Sequence, residues 1–371
     1  MRRLFLAVFS LLLVCCLVEV VLRTTHLFGA RVAWTQPDRE IGWRFTPGHA
    51  YWFFAEGDQP VTGRINSMGW RDREHPDTPA AGTERVAVLG DSYVEAFQVR
   101  SSATFVAIGD ERLHPDGEVM NFGRSGMSPT EELIVLERDV LPRKPDLVVL
   151  VFTPQNDIAD VNPATAADLC RPFFRRVSGD SLALDLSFVH RRDFRIREAI
   201  NPFKQHSALV SLVSERFNAW RFVHRRQAVE GVRGMTREQR MCTAHPDPVF
   251  ADNYALCKTL IVRMARACAA RGVHFELASV PIAYQDELVA RLRAEDATFD
   301  PEFFDRDLSE LALANDFAFV ALTQPFTERW RATRRPLHWQ HWNYAGHRLV
   351  ADLLFSRARL RAVMPEARST H

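Results

Sequence analysis

The chain lacks a charge excess: 47 Lys and Arg stand against 46 Asp and Glu over 371 residues, a net charge of +1. That excludes recruitment of nucleic acid by bulk charge, and the short basic runs His190-Arg191-Arg192 and His224-Arg225-Arg226 read as solvated faces. Cysteine is scarce, at six residues. Cys15 and Cys16 fall within an apolar run, which leaves Cys170, Cys242, Cys257 and Cys268. The last two lie about 16 Å apart along a helical pattern, too far to bridge each other. Cys170 and Cys242 form either a disulfide of an oxidising compartment or two buried free thiols. Internal repeats and low-complexity tracts are missing, which argues against solenoids and disordered arrays.

The remaining composition, 47% hydrophobic and 25% charged, is that of a globular protein large enough for one domain or one domain with an insertion. Only the amino terminus departs from it. Met1-Arg2-Arg3 precedes an uncharged run over residues 4–18, and apolar character resumes after Glu19 as far as Leu22. As a helix, residues 4–22 span about 28 Å, close to the thickness of a bilayer core. A cleaved signal peptide is the rival, but no small-x-small site follows, and Val14 before Cys15 makes a poor lipoprotein box. The expected organisation is a membrane anchor or signal segment over 1–29, then one domain over 30–371 in the periplasm or otherwise outside the cytoplasm. The anchor reading gives a single-pass inner-membrane protein; cleavage would give a secreted one.

Residues 30–84 look irregular and aromatic-rich, with a turn at Asn66-Ser67-Met68-Gly69-Trp70-Arg71. A strand–helix alternation then begins: strand 85–89, helix 104–113, strand 118–122, helix 129 to about 141, strand 147–152. Six consecutive apolar residues in the last suit a strand buried on both faces. The alternation lapses over about 157–252, which reads as an insertion containing a hairpin-like turn at Gly179-Asp180 and an amphipathic segment at 207–217. It resumes with helix 253–271, strand 273–280, helix 301–314, strand 317–322 and a final helix 344–360. The fold class is therefore α/β, a mainly parallel five-stranded sheet flanked by helices.

Four blocks fall after strand ends. The first is Gly90-Asp91-Ser92, the second Asn121-Phe122-Gly123-Arg124-Ser125-Gly126, the third Thr153-Pro154-Gln155-Asn156-Asp157. The fourth runs from His338 through His341 to His347. Each can supply a part of acyl transfer: Ser92 as nucleophile, His341 as base, and the N–H groups of Ser92 and Gly126 with the Asn156 amide as oxyanion donors. Other readings stand beside these. Asn156 could cap a turn, Gly123 competes with Gly126, and His338 and His347 compete with His341. Asp91 suits support of the nucleophile loop. Trp339 and Trp342 either stack on a sugar ring or pack the loop. The pair His338-x-x-His341 has no nearby Cys, Asp or Glu to complete a metal set, and no cofactor is expected.

In this order the blocks resemble the SGNH (GDSL) hydrolase family, particularly its bacterial membrane-anchored members, which carry a similar Asn-x-x-Gly-x-Arg turn, here Asn66, Gly69 and Arg71. The resemblance implies a three-layer, flavodoxin-like architecture. It also implies a serine esterase with Ser92 as nucleophile, His341 as base and Gly126 and Asn156 in the oxyanion hole. Its expected substrate is an acylated carbohydrate or another envelope ester, with an O-acetyltransferase as a variant. One departure stands out: the family's last block carries an aspartate two or three residues before the histidine, where this chain has Trp339 and His338. No acidic residue occurs between Glu328 and Asp352. The alternatives are a Ser–His dyad, a carboxylate from elsewhere, or a degenerate site of reduced or lost activity, as in a non-catalytic or weakly active glycan-binding module of polysaccharide assembly.

Overall fold

The computed structural model describes residues 1–57, 59–178, 181–230 and 234–363. An apolar helix α1 (Arg2–Thr25) is followed by two small antiparallel hairpins, β1 (Thr35–Asp38) with β2 (Gly42–Phe45) and β3 (Ala50–Phe53) with β4 (Val61–Arg64). The stretch expected to be irregular is thus partly strand. Its strands are four residues each, too short for an alternation to register, and they close around Trp34, Phe45, Tyr51 and Phe97.

The α/β unit starts with β5 (Glu84–Gly90), the short α2 (Ser92–Glu95), α3 (Phe105–Leu113), β6 (Gly117–Gly123), α4 (Pro129–Val135), β7 (Leu147–Phe152) and α5 (Pro154–Asp160). Next come the hairpin β8 (Phe173–Ser178) and β9 (Ser181–Asp185), then helices α6 (Arg192–His206), α7 (Ala208–Glu230) and α8 (Arg237–Arg240). The Gly179-Asp180 turn itself lies outside the described residues. The chain returns to the sheet through α9 (Pro248–Ala269), β10 (His274–Ser279), α10 (Asp286–Glu295), α11 (Phe303–Ala314), β11 (Ala318–Val320), α12 (Thr323–Thr333), α13 (Tyr344–Leu354) and α14 (Arg357–Val363).

The five strands run parallel in the order β11-β10-β7-β5-β6. All six residues of β7 are buried, because helices cover both faces of a parallel sheet. Each such Val or Leu contributes about 1.5–3 kcal/mol. Successive residues face opposite layers: Ala87 and Leu89 join the core under α4, α9 and α11, while Val86 and Val88 join that under α3, α12 and α13. After β6 the chain crosses to the other side of β5, so the strand order reverses between β5 and β7. In open α/β sheets the crevice outside the carboxyl ends at such a switch point is where ligands bind.

The last helix and the cysteines differ from one reading of the sequence. The last helix breaks after Leu354, where Phe355 leaves helical geometry (φ −116°, ψ 34°). Its ring packs so closely on α3 that a Cβ at Gly109 would meet it at 2.4 Å. Cys170 and Cys242 are free thiols, so the disulfide alternative falls: Cys170 packs with Phe188 and Phe194, Cys242 in the main core.

Helix α1 is long and apolar enough to cross a membrane, and its apolar window is unburied. Its Glu19 accepts hydrogen bonds from Ser207 Oγ (2.9 Å), Ala208 N (2.7 Å) and Leu209 N (3.0 Å), capping the amino terminus of α7.

Candidate active site

β5 delivers Gly90-Asp91-Ser92 to the switch point. A Cβ at Gly90 would meet Val94 at 2.5 Å and the Val151 carbonyl at 3.0 Å, so only glycine lets the chain turn this tightly against β7. Asp91 is wholly buried. It accepts from Tyr93 N (3.0 Å), Thr153 Oγ1 (3.0 Å) and Asn156 Nδ2 (2.7 Å), which ties the first block to the third. Burial raises its pKa against those hydrogen bonds. These bonds hold the loop that carries Ser92, whose Oγ lies 3.4 Å from Asp91 Oδ2.

The turn at Asn66–Arg71 supports the loop from behind. Asn66 Oδ1 accepts from Trp70 N at 2.9 Å, and Gly69 takes a φ of +87° that glycine alone adopts without strain. The buried Arg71 then donates to the carbonyls of Glu95, Ala96 and Val99 and to Tyr51 Oη, pinning the chain that follows Ser92.

His341 Nε2 lies 2.8 Å from Ser92 Oγ, within range for removal of the serine proton. The group on its other side is Glu56, a residue no sequence argument singled out. His341 Nδ1–H donates to Glu56 Oε1 at 2.5 Å, and Glu56 Oε2 accepts the backbone N–H groups of His341 (2.8 Å) and Gln340 (2.9 Å). Burial alone would raise Glu56, but these bonds outweigh it and hold the carboxyl below its usual range. Burial likewise pulls His341 down, yet Glu56 prevails and the imidazole titrates above its ordinary 6.5. Of the three alternatives left open by the missing aspartate, the geometry has a carboxylate from elsewhere.

Glu56 sits in the connection between β3 and β4. Gly57 follows it with φ +84°, and a Cβ there would meet the Trp339 ring at 3.0 Å. Trp339, in the aspartate's place, therefore packs on the turn that carries the replacement carboxylate. His338 stands apart from Ser92: its Nδ1 accepts from Tyr284 Oη at 2.5 Å, and Tyr284 Oη accepts from Leu337 N, which anchors the base of the loop. His347 is buried against Phe105 N and Gln98, and burial drives it down to about 3, so it packs as a neutral ring. Asn343 caps α13 through Ala345 N and Gly346 N.

The two candidate glycines separate cleanly. Gly123 N–H is spent on Asn121 Oδ1 (2.8 Å), and a Cβ at Gly123 would strike Glu95 N at 2.4 Å, so this glycine is needed for close packing under α2. Gly126 has φ +69° and open space at its Cβ position. Its carbonyl is held by Arg171 Nη2 at 2.7 Å. Among the described residues, neither Ser92 N–H nor Gly126 N–H has a backbone acceptor. Asn156 Nδ2 gives one hydrogen to Asp91 and keeps the second. The structure thus brings Ser92, His341, Asp91 and Asn156 into one hydrogen-bonded group and leaves His338 and Gly123 in supporting positions. Among the described residues no cluster of three or more His, Cys, Asp or Glu is placed to hold a metal ion.

No family model matches the chain, and no curated protein matches it. Solved structures do. A catalytic mutant of an acetylxylan esterase from Geobacillus stearothermophilus is similar at 17% identity and TM-score 0.40, over 76% of this chain and 95% of that one. TesA matches at 14% identity and TM-score 0.40, over 76% and 99%. A member of the lipolytic protein G-D-S-L family from Veillonella parvula matches at 11% identity and TM-score 0.40, over 74% and 100%.

Proposed function

We propose that the chain is a serine esterase of the SGNH (GDSL) type, working through Ser92, His341 and Glu56. The observation that carries the reading is the continuous relay from Ser92 Oγ to His341 to Glu56, at 2.8 and 2.5 Å, above the sheet's switch point. In this mechanism neutral His341 takes the Ser92 proton as Oγ attacks the ester carbonyl. Ser92 N–H, Gly126 N–H and the free hydrogen of Asn156 Nδ2 receive the developing oxyanion. His341 then protonates the departing alcohol, and the same base activates water to release the acyl group from Ser92. Glu56 fixes the tautomer in which Nδ1 carries its proton and stabilises the imidazolium as it forms.

Glu56 also answers the gap that favoured a non-catalytic glycan-binding module, since a carboxylate now steadies the base. The proposal places the catalytic domain, residues 30–371, outside the cytoplasm on a single-pass anchor, with an acylated carbohydrate or other envelope ester as substrate. A fluorophosphonate probe tests the chemistry. Ser92 is expected to be labelled in the wild type, with labelling and p-nitrophenyl acetate turnover lost in Ser92→Ala and sharply reduced in His341→Ala. Neither labelling nor turnover in the wild type would sink the proposal.

A further inference from the structure

Gly126 and Asn156 also form one wall of a cavity of about 330 Å³, which Trp43, Arg124 and Arg171 help to line and which neither Ser92 nor His341 reaches. Arg124 is only 1% exposed, and none of its Nε, Nη1 and Nη2 atoms has an acceptor among the described residues. Among the described residues its one carboxylate in ion-pair range is Glu131, whose Oε1 is 3.8 Å from Arg124 Nη2 but only 2.6 Å from Arg171. The cavity's other carboxylates are engaged too: Asp160 bonds Arg171 at 2.8 Å, and Asp168 bonds Arg197 at 2.7 Å. Arg171 Nε is a further buried nitrogen without an acceptor.

Trp43 covers one face of the Arg124 guanidinium, 4.4 Å from its ring centroid. A stacked guanidinium keeps its in-plane fork of N–H donors open, and that fork matches a carboxylate bidentately. Burial lowers Arg124 only to about 10, so it is a cation at neutral pH. A buried cation without an acceptor is strongly unfavourable unless something supplies one. The departing alcohol has to lie at His341 to be protonated, so a cavity on the oxyanion side takes the other half of the ester.

We propose that this cavity is the acyl subsite and selects a short acyl group ending in a carboxylate, which Arg124 binds bidentately. The inference rests on the esterase reading. The reaction would be cleavage of a half-ester of a dicarboxylic acid: water adds across the acyl–oxygen bond, releasing the alcohol and the dicarboxylate.

Monoethyl succinate and its uncharged isostere ethyl 4-methylpentanoate test it, with hydrolysis followed by product analysis. The wild type is expected to favour the succinate by about tenfold or more in kcat/KM, because a site built around a hydrogen bond rejects the analogue that lacks it. Arg124→Leu should bring that ratio to one or below, and Arg124→Lys should restore part of it. Succinate binding to Ser92→Ala protein, read by calorimetry, gives a measurement independent of turnover and should vanish when Arg124→Leu is added. Equal or better use of the isostere, with no succinate binding, overturns the subsite while leaving the esterase standing. Arg124-dependent succinate binding in a protein that turns over no ester and takes no probe overturns the esterase reading and the acyl assignment with it.

Discussion

Glu56 touches His341 with one carboxylate oxygen on the ring and the other on the loop backbone, so it fixes both the ring and the loop that carries it. Glu56→Gln is expected to lower kcat by on the order of 10⁴ with little change in KM, because an amide can present its N–H to Nδ1 and favour the wrong tautomer. The pH profile gives a second readout. In the proposed mechanism His341 acts as the neutral ring, and Glu56 raises its pKa, so the acid limb of kcat/KM should lie above pH 6.5 and activity should fall as pH drops through it. In Glu56→Gln burial acts without the carboxylate, and the limb should move to lower pH. A limb that stays in place would show that Glu56 does not govern this base. His341 was legible in the sequence, but Glu56 was not, for it lies 285 positions from His341, outside every motif. The sequence showed only the vacancy at Trp339 that called for such a group.

At the scale of elements, the strands of the parallel sheet were readable and the hairpin that carries Glu56 was not. β7 begins and ends where a run of six apolar residues does, since burial on both faces leaves no polar position to blur it. Helices α10 and α12 escaped because their sequences are charge-rich and bury one and two residues respectively, too few to make a periodic stripe. Gly123 was ambiguous in sequence because its spacing from the strand end differs little from that of Gly126. Only the spent N–H and the tight packing on α2 separate them. The β3–β4 hairpin lies outside the parallel sheet, which makes it separately testable. Gly57→Val places a β-branched residue at φ +84° and drives its Cβ against Trp339. The expected result is a large loss of kcat, approaching that of Glu56→Gln, from displacement of Glu56. The thermal midpoint should fall by only about 1–3 °C, as for a local strain of about 1–2 kcal/mol in a domain of this size. A loss of stability large enough to unfold the domain would mean instead that the hairpin is part of the core.

For the whole molecule, the issue is whether α1 is a removable leader or a part of the structure. Composition alone supports either, since a signal sequence and an anchor share an apolar core. The contacts favour the anchor. Glu19 caps α7 through three donors, Leu22 is buried with Ala30 and Ala208, and Arg23 bonds Glu19 at 2.6 Å. Cleavage between Glu19 and Ala30 would leave the first N–H groups of α7 without their acceptor, a loss of about 0.5–2 kcal/mol at that helix end. The chain recovered from cells is therefore expected to keep its apolar segment, to stay with the membrane through alkaline carbonate washing, and to show the intact mass. Glu19→Ala should leave it membrane-bound but speed hydrogen exchange at Ala208 and Leu209, because an uncapped first turn opens more often. A mature protein that lacks the first two dozen or so residues and leaves the membrane in carbonate would make α1 a leader. A cap that is lost without any change in exchange would make Glu19 incidental to α7.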